Sequence, residues 1–192
     1  MSLPTSKSQF AGPCRLGEKI QDVLWLMTLG AAWRGQIDGM PVTGEQILRA
    51  ARAPGASPSP CPDVIVACLE EMIRCDSLVG DPCRGLTITE QGKEIFARLM
   101  AEPAASLRAG AGRLAVRVRL AFLDLLDGDT RRAALDALIE AAEEDLSDVS
   151  RALDGQWAGP FAGSWAVRDM ATASQDLSTL GHLRALLDGQ AA

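Results

Sequence analysis

Cys61, Cys68 and Cys75 recur every seven residues, a spacing that raises the question of a metal site. On a helix that interval sets neighbours about 10.5 Å apart along one stripe, too far to share an ion. A zinc centre needs about four N, S or O ligands close together, and His182 is the single histidine. With Cys14 and Cys83 the cysteines number five, an odd count at spacings unlike a disulfide framework. They read as small apolar residues with free thiols, and neither a metal nor a cofactor is expected. Enzymatic constellations are equally thin: there is no G-x-G-x-x-G turn, phosphate loop or G-x-S-x-G elbow. Glu143, Glu144, Asp145 and Asp148 fit the solvated face of a helix better than an acid/base pair. The chain is expected not to be an enzyme.

The remaining residues with chemical reach are basic: Arg49, Arg52, Arg74, Arg84 and Lys93. Guanidinium and ammonium groups at intervals along a small domain suit phosphate contacts, which position a protein on a duplex without reading sequence. The net charge of −6 lends no general nucleic-acid affinity, but it is unevenly placed. Residues 1–100 carry 10 Lys+Arg and 11 Asp+Glu, whereas residues 101–192 carry 9 and 14. The first half, close to neutral, can bind DNA if its bases gather on one face.

These residues have to be positioned by helices. Leu16 to Leu29 reads as a helix, with Ile20, Val23, Leu24 and Met27 on one stripe. The glycines from Gly30 onward predict its end. Thr43, with Gln46 three residues on, forms a capping box for a short helix from Gly44 to Arg52. APGASPSPCPD holds four prolines in eleven residues and must be a turn. From Pro62 to Cys75, Ile65, Leu69, Met72 and Ile73 mark a second amphipathic helix. Residues 78–88, with GDPCRG at the centre, predict a β-hairpin, and Thr89 caps a helix reaching about Met100.

Beyond Pro103 to Gly112, a connection of small residues, three more helical stretches are expected. One runs from about Arg113 to Leu126. Asp129 caps the second, in which Leu135, Leu138, Ile139, Leu146 and Val149 alternate at three and four residues like a coiled-coil seam. The third, about Val167 to Leu187, carries Leu177 and Leu180 and follows a loop that contains Trp157 and Trp165. Apolar stripes of this length need more cover than one chain supplies, which predicts a homodimer through Leu135, Leu138, Ile139, Leu146, Leu177 and Leu180. No apolar run approaches the ~18 residues of a bilayer span, and MSLPTSKSQFAGPC lacks the apolar stretch of a secretory signal. A cytoplasmic protein with no membrane partner is expected.

The order helix, short helix, turn, helix, hairpin, helix is that of a winged helix-turn-helix. The expected fold class is therefore mainly α with a small β-wing: a winged helix-turn-helix over residues 1–102 and a helical dimerisation module over 103–192. LTITEQGKEIFARLMAEPA, with Gly92 and Pro103 in place, resembles the wing-to-helix passage of PadR-like transcriptional regulators. RLAFLDLLDGDTRRAALDALIEAAEEDLSDV looks like the C-terminal module of the same family, in its AphA-like branch. The resemblance spans about residues 20–187. It implies a DNA-binding transcriptional regulator that holds double-stranded operator DNA as a homodimer. Arg49, Arg52, Ser57, Ser59, Asp63, Arg74, Arg84 and Lys93 would lie at the DNA. Trp157 and Trp165 would wall a pocket for a small aromatic effector. The chain departs from the family where the recognition helix opens on Asp63, Val64, Ile65 and Val66, where Ser77 replaces the glycine before the wing, and in a wing whose one base is Arg84. These departures favour one alternative, a degenerate winged-helix module that contacts proteins without binding DNA.

Overall fold

A computed structural model describes residues 15–51, 61–104, 106–108, 110–154 and 160–189. Among these residues, seven α-helices and one two-stranded antiparallel sheet follow in the order α1 (Arg15–Ile37), α2 (Gly44–Ala51), α3 (Pro62–Arg74), β1 (Leu78–Asp81), β2 (Gly85–Ile88), α4 (Glu90–Ala101), α5 (Gly110–Phe122), α6 (Gly128–Asp154) and α7 (Pro160–Gly189). A short 3-10 turn, Leu123–Leu125, follows α5.

Helix α1 is the axis of the first core. Leu24, Leu26, Leu29 and Ala32 are buried on several sides of it, because α2, α3, α4, α5 and β2 all pack around it. The helix runs seven residues past Gly30 instead of ending there. A Cβ at Gly30 would lie 2.5 Å from the Phe122 ring, so this glycine serves the close approach of α5 rather than a turn. Trp33, Phe96 and Phe122 pack edge to face behind it, with ring centroids 5.6 and 6.4 Å apart.

The expected start signals hold at two helices. The Thr43 amide donates to Gln46 Oε1 at 2.8 Å and the Gln46 amide to Thr43 Oγ1 at 3.3 Å, the reciprocal capping box of α2. Thr89 Oγ1 accepts from the Gly92 amide at 3.0 Å to open α4. At α6 the expectation shifts by two residues. Asp127, not Asp129, accepts from the Asp129 and Thr130 amides at 3.1 and 2.9 Å, because the helix already begins at Gly128.

The wing pairs Leu78 with Ile88 and Asp81 with Gly85. The Leu86 amide also donates to the Val42 carbonyl at 2.8 Å, which ties the wing to the segment before α2. At the entry to the wing Asp76 takes a positive φ of 55°, the left-handed conformation that Asp tolerates better than most residues. Asp76 thus does the work of the glycine missing at Ser77. Gly92 sits directly beneath: a Cβ there would come within 2.2 Å of the Ser77 carbonyl oxygen.

Helices α6 and α7 form an antiparallel pair. Leu135, Leu138, Ala141, Ala142 and Leu180 close a second core, joined by Leu107 from the segment before α5. Arg184 Nε meets Asp136 at 2.8 Å and Arg132 meets Asp188 at 3.4 Å along its rim. Leu135, Leu138 and Leu180, the expected intermolecular contacts, are buried within one chain, and Ile139 and Leu177 are half-buried against the same seam. Each helix covers the stripe that its partner helix would otherwise expose. Leu146 is half-buried on α6. The first core also passes residue 102, since Val118, Leu126 and Ala134 belong to it.

Candidate functional site

Helices α2 and α3 are the two arms of a helix-turn-helix, with β1 and β2 as the wing. Ile65, Cys68, Leu69 and Met72 bury one stripe of α3, which leaves Asp63, Val66, Ala67 and Glu70 exposed on the opposite one. The interval i, i+3, i+4, i+7 makes this a continuous ridge. Its centre is apolar, with Val66 43% exposed, and its ends are acidic.

The expected basic residues are found in different states. Arg49 on α2 is exposed and pairs with Glu45 one turn earlier at 2.8 Å. Arg74, at the end of α3, is held by Glu71, whose hydrogen bond and charge raise the guanidinium above its usual range. Lys93 reaches Glu90 at 2.7 Å and lies 5.6 Å from the Trp33 ring centroid. Arg84, exposed at the tip of the wing, forms no ion pair among the described residues. Its turn is fixed by Asp81, which accepts from the Cys83 amide through Oδ1 at 2.7 Å and from the Arg84 amide through its carbonyl at 3.0 Å. Arg52, Ser57 and Ser59 lie outside the described residues.

Helix α5 joins this half to the rest. Arg119 on α5 is buried and donates to the Leu99 and Glu102 carbonyls at 3.1 and 3.0 Å, capping the end of α4. Burial pulls its guanidinium below the usual range, an effect that the charge of Glu102 partly offsets. On the other side of the connecting segment, the Leu107 amide donates to the buried carboxylate of Asp145 at 2.7 Å.

Between α5 and α7 lies a cleft of about 650 Å³, bordered by Leu107, Val116, Leu120, Leu180 and the arginines Arg108, Arg113, Arg117 and Arg168. Trp165 belongs to its wall and is 61% exposed, and the Arg168 guanidinium lies 4.6 Å from the centre of its ring. This tryptophan sits inside α7, which begins at Pro160, rather than in the loop expected from the sequence. Trp157 lies outside the described residues. Arg108 pairs with Asp169 across the mouth. Asp176 is held above the ordinary carboxylate range by burial and by Asp145, against the pull of Arg113. The arginines escaped the sequence reading although a signal was present: Arg113, Val116, Arg117 and Leu120 share one face of α5 at helical spacing.

Among the described residues, no group of three or more His, Cys, Asp or Glu side chains could hold a metal ion. Nor is any of their helices long and apolar enough to cross a membrane.

Comparison with known proteins adds the family. A family model described as "Putative AphA-like transcriptional regulator" matches residues 69–184, well over half of the chain. No curated protein matches. Among solved structures, Bacillus subtilis PadR in complex with p-coumaric acid is similar at 14% identity and a TM-score of 0.38, over 86% of this chain and 99% of that one. Bacillus subtilis PadR alone gives the same identity and score over 88% and 96%. The chain belongs to the family of AphA-like transcriptional regulators.

Proposed function

We propose that this regulator binds operator DNA as a homodimer through its winged helix-turn-helix, and that a small ligand modulates the binding. The observations that carry the reading are the exposed ridge of α3 and an exposed Arg84 on the wing with no ion pair among the described residues, the two parts that a winged helix brings to a groove and to the adjacent backbone. On this reading Arg49, Arg74, Arg84 and Lys93, with Arg52, contact phosphates. Asp63, with Ser57 and Ser59, meets base edges. Residues 1–102 then hold the DNA and residues 103–192 the partner subunit, with the protein in the cytoplasm and no catalytic step.

Because α6 and α7 bury Leu135, Leu138 and Leu180 within one chain, the dimer contact falls to what remains exposed on α7, where Val167 is 60% and Leu186 49% accessible. The ligand reading rests on the cleft beside Trp165, whose volume falls in the range of small-molecule sites.

One observation favours a second reading, a winged-helix module that contacts proteins. Over residues 44–93, from α2 to the start of α4, the five bases Arg49, Arg52, Arg74, Arg84 and Lys93 stand against seven acids: Glu45, Asp63, Glu70, Glu71, Asp76, Asp81 and Glu90. Anisotropy of labelled fragments from upstream of the protein's own gene, measured at several salt concentrations, separates the two. Binding that weakens steeply with salt supports the regulator reading. No binding at low salt, where attraction to phosphates is strongest, leaves the protein-contact module.

A further inference from the structure

The exposed ridge of α3 is chemically narrow. Between Pro62 and Ile73 the helix carries no Lys, Arg, His, Asn, Gln, Ser or Thr. Its single base, Arg74, stands at the C-terminal end and is held by Glu71. What α3 presents outward is the carboxylate of Asp63, the aliphatic surface of Val64, Val66 and Ala67, and the carboxylate of Glu70. Val64 and Val66 are each 43% exposed, although Ile65, Cys68, Leu69 and Met72 already bury the other side of the helix. Neither Asp63 nor Glu70 forms an ion pair among the described residues.

A winged helix-turn-helix lays this helix in the major groove, where each base shows a different edge. Guanine offers two acceptors, adenine an acceptor and a donor, and thymine an acceptor and a methyl group; cytosine alone shows a donor and no acceptor. A carboxylate only accepts. It therefore gains from the cytosine amino group and is repelled by the acceptors of guanine. An aliphatic side chain gains from a C5 methyl group. From Asp63 to Glu70 the helix rises about 10.5 Å, about three base steps of roughly 3.4 Å. The order acid, aliphatic, acid thus matches a short run of pyrimidines on one strand.

We propose that α3 reads the pyrimidine strand of its operator, with Asp63 and Glu70 accepting from cytosine amino groups and Val66 and Ala67 packing on C5 methyl groups between them. The ridge then accepts 5-methylcytosine as it accepts thymine, because the methyl group occupies the same place on the groove edge. Carboxylates close to phosphates weaken binding to every sequence, so the two acids that select cytosine also suppress binding elsewhere. Affinity comes from the bases off the ridge. The inference rests on the regulator reading above and adds the base chemistry that the helix recognises.

The test uses the full chain and a pool of randomised duplexes, selected at low salt and sequenced. Each enriched half-site should hold, on one strand, two cytosines about three base steps apart with thymines between them. Asp63→Asn, whose amide both donates and accepts, should move the preference at one of these cytosines toward adenine by at least about fivefold. Glu70→Gln should do the same at the other. A residue acting only through charge or stability would change affinity for all sequences alike. At a central position 5-methylcytosine should bind about fourfold more tightly than cytosine, and Val66→Ser should erase that ratio at one of them. Circular dichroism confirms that each variant is folded. Half-sites that lack this cytosine spacing, or that keep their preferences in both acid variants, overturn the proposal. So does equal affinity for cytosine and 5-methylcytosine at every central position. Binding of all duplexes without preference overturns it while the regulator reading stands, whereas no binding of any duplex at low salt removes both.

Discussion

Arg84 offers the most direct test of how this protein meets a phosphate backbone. Arg49, Arg74 and Lys93 each have an acid three or four residues away on the same helix, so a phosphate must compete with that partner. Arg84 has no such competitor among the described residues, and the Asp81 turn fixes its backbone. One phosphate neutralised on duplex DNA contributes about 0.9 to the slope of log K against log salt. A dimer with two wings then loses about 1.8 units of slope in Arg84→Ala, so that between 50 and 200 mM salt the wild type should lose about twelvefold more affinity than the variant. Arg49→Ala should flatten the slope by less, and Glu45→Gln, which releases Arg49, should tighten binding. Fluorescence anisotropy at four or more salt concentrations measures all three. A slope unchanged in Arg84→Ala, with binding intact at low salt, would refute the assignment of the wing to the backbone.

Further expectations concern the recognition ridge and the fold. If Val66 and Ala67 meet thymine methyl groups, replacing thymine by deoxyuridine in a bound fragment should cost about 0.8 kcal/mol for each methyl lost, roughly fourfold in Kd, with the salt slope unchanged. Gly92→Ala places a methyl group 2.2 Å from the Ser77 carbonyl oxygen and should cost about 1–3 kcal/mol or more, read as a lower urea midpoint. Leu138→Asp should unfold the protomer rather than merely dissociate a dimer, since Leu138 is fully buried within one chain. The cost is at least ~3 kcal/mol, seen as loss of helical circular dichroism before any change in association. Asp127 is held below the ordinary carboxylate range, first by the Thr130 amide and then by its hydroxyl, and Asp124 chiefly by the Arg34 hydrogen bond. Both therefore contribute stability that is fully present above the unfolded carboxylate pKa and is lost as pH falls through the lower folded values. A pH titration of the unfolding midpoint below about pH 4 should be flatter for Asp127→Asn than for wild type.

Much of this fold is legible in the sequence because its signals are local. The Thr43–Gln46 capping box, the Thr89 cap and the buried stripe of α3 depend on residues a few positions apart, and helical periodicity fixes which side chains share a face; most of the expected proline-rich turn lies outside the described residues. For the same reason the boundaries of α2, α3 and the wing came out within a residue or two. The misreadings arise where a distant partner decides. Gly30 looks like a helix end until Phe122 of α5 lies against it, and Asp76, not Ser77, takes the left-handed conformation at the entry to the wing. Leu135, Leu138 and Leu180 form apolar stripes that sequence alone leaves uncovered, and only the antiparallel fold-back of α7 onto α6 shows that one chain covers them. The cleft is the extreme case. Arg108, Arg113, Arg117 and Arg168 span sixty residues and look like ordinary surface charges one by one, until tertiary packing faces α5 toward α7 and gathers them around one apolar floor. Local sequence determines which helices form and which faces are apolar, because those depend on backbone hydrogen bonds and side-chain spacing within a few turns. The tertiary structure alone decides which faces meet, because that depends on the free energy of burial summed over segments far apart in the chain.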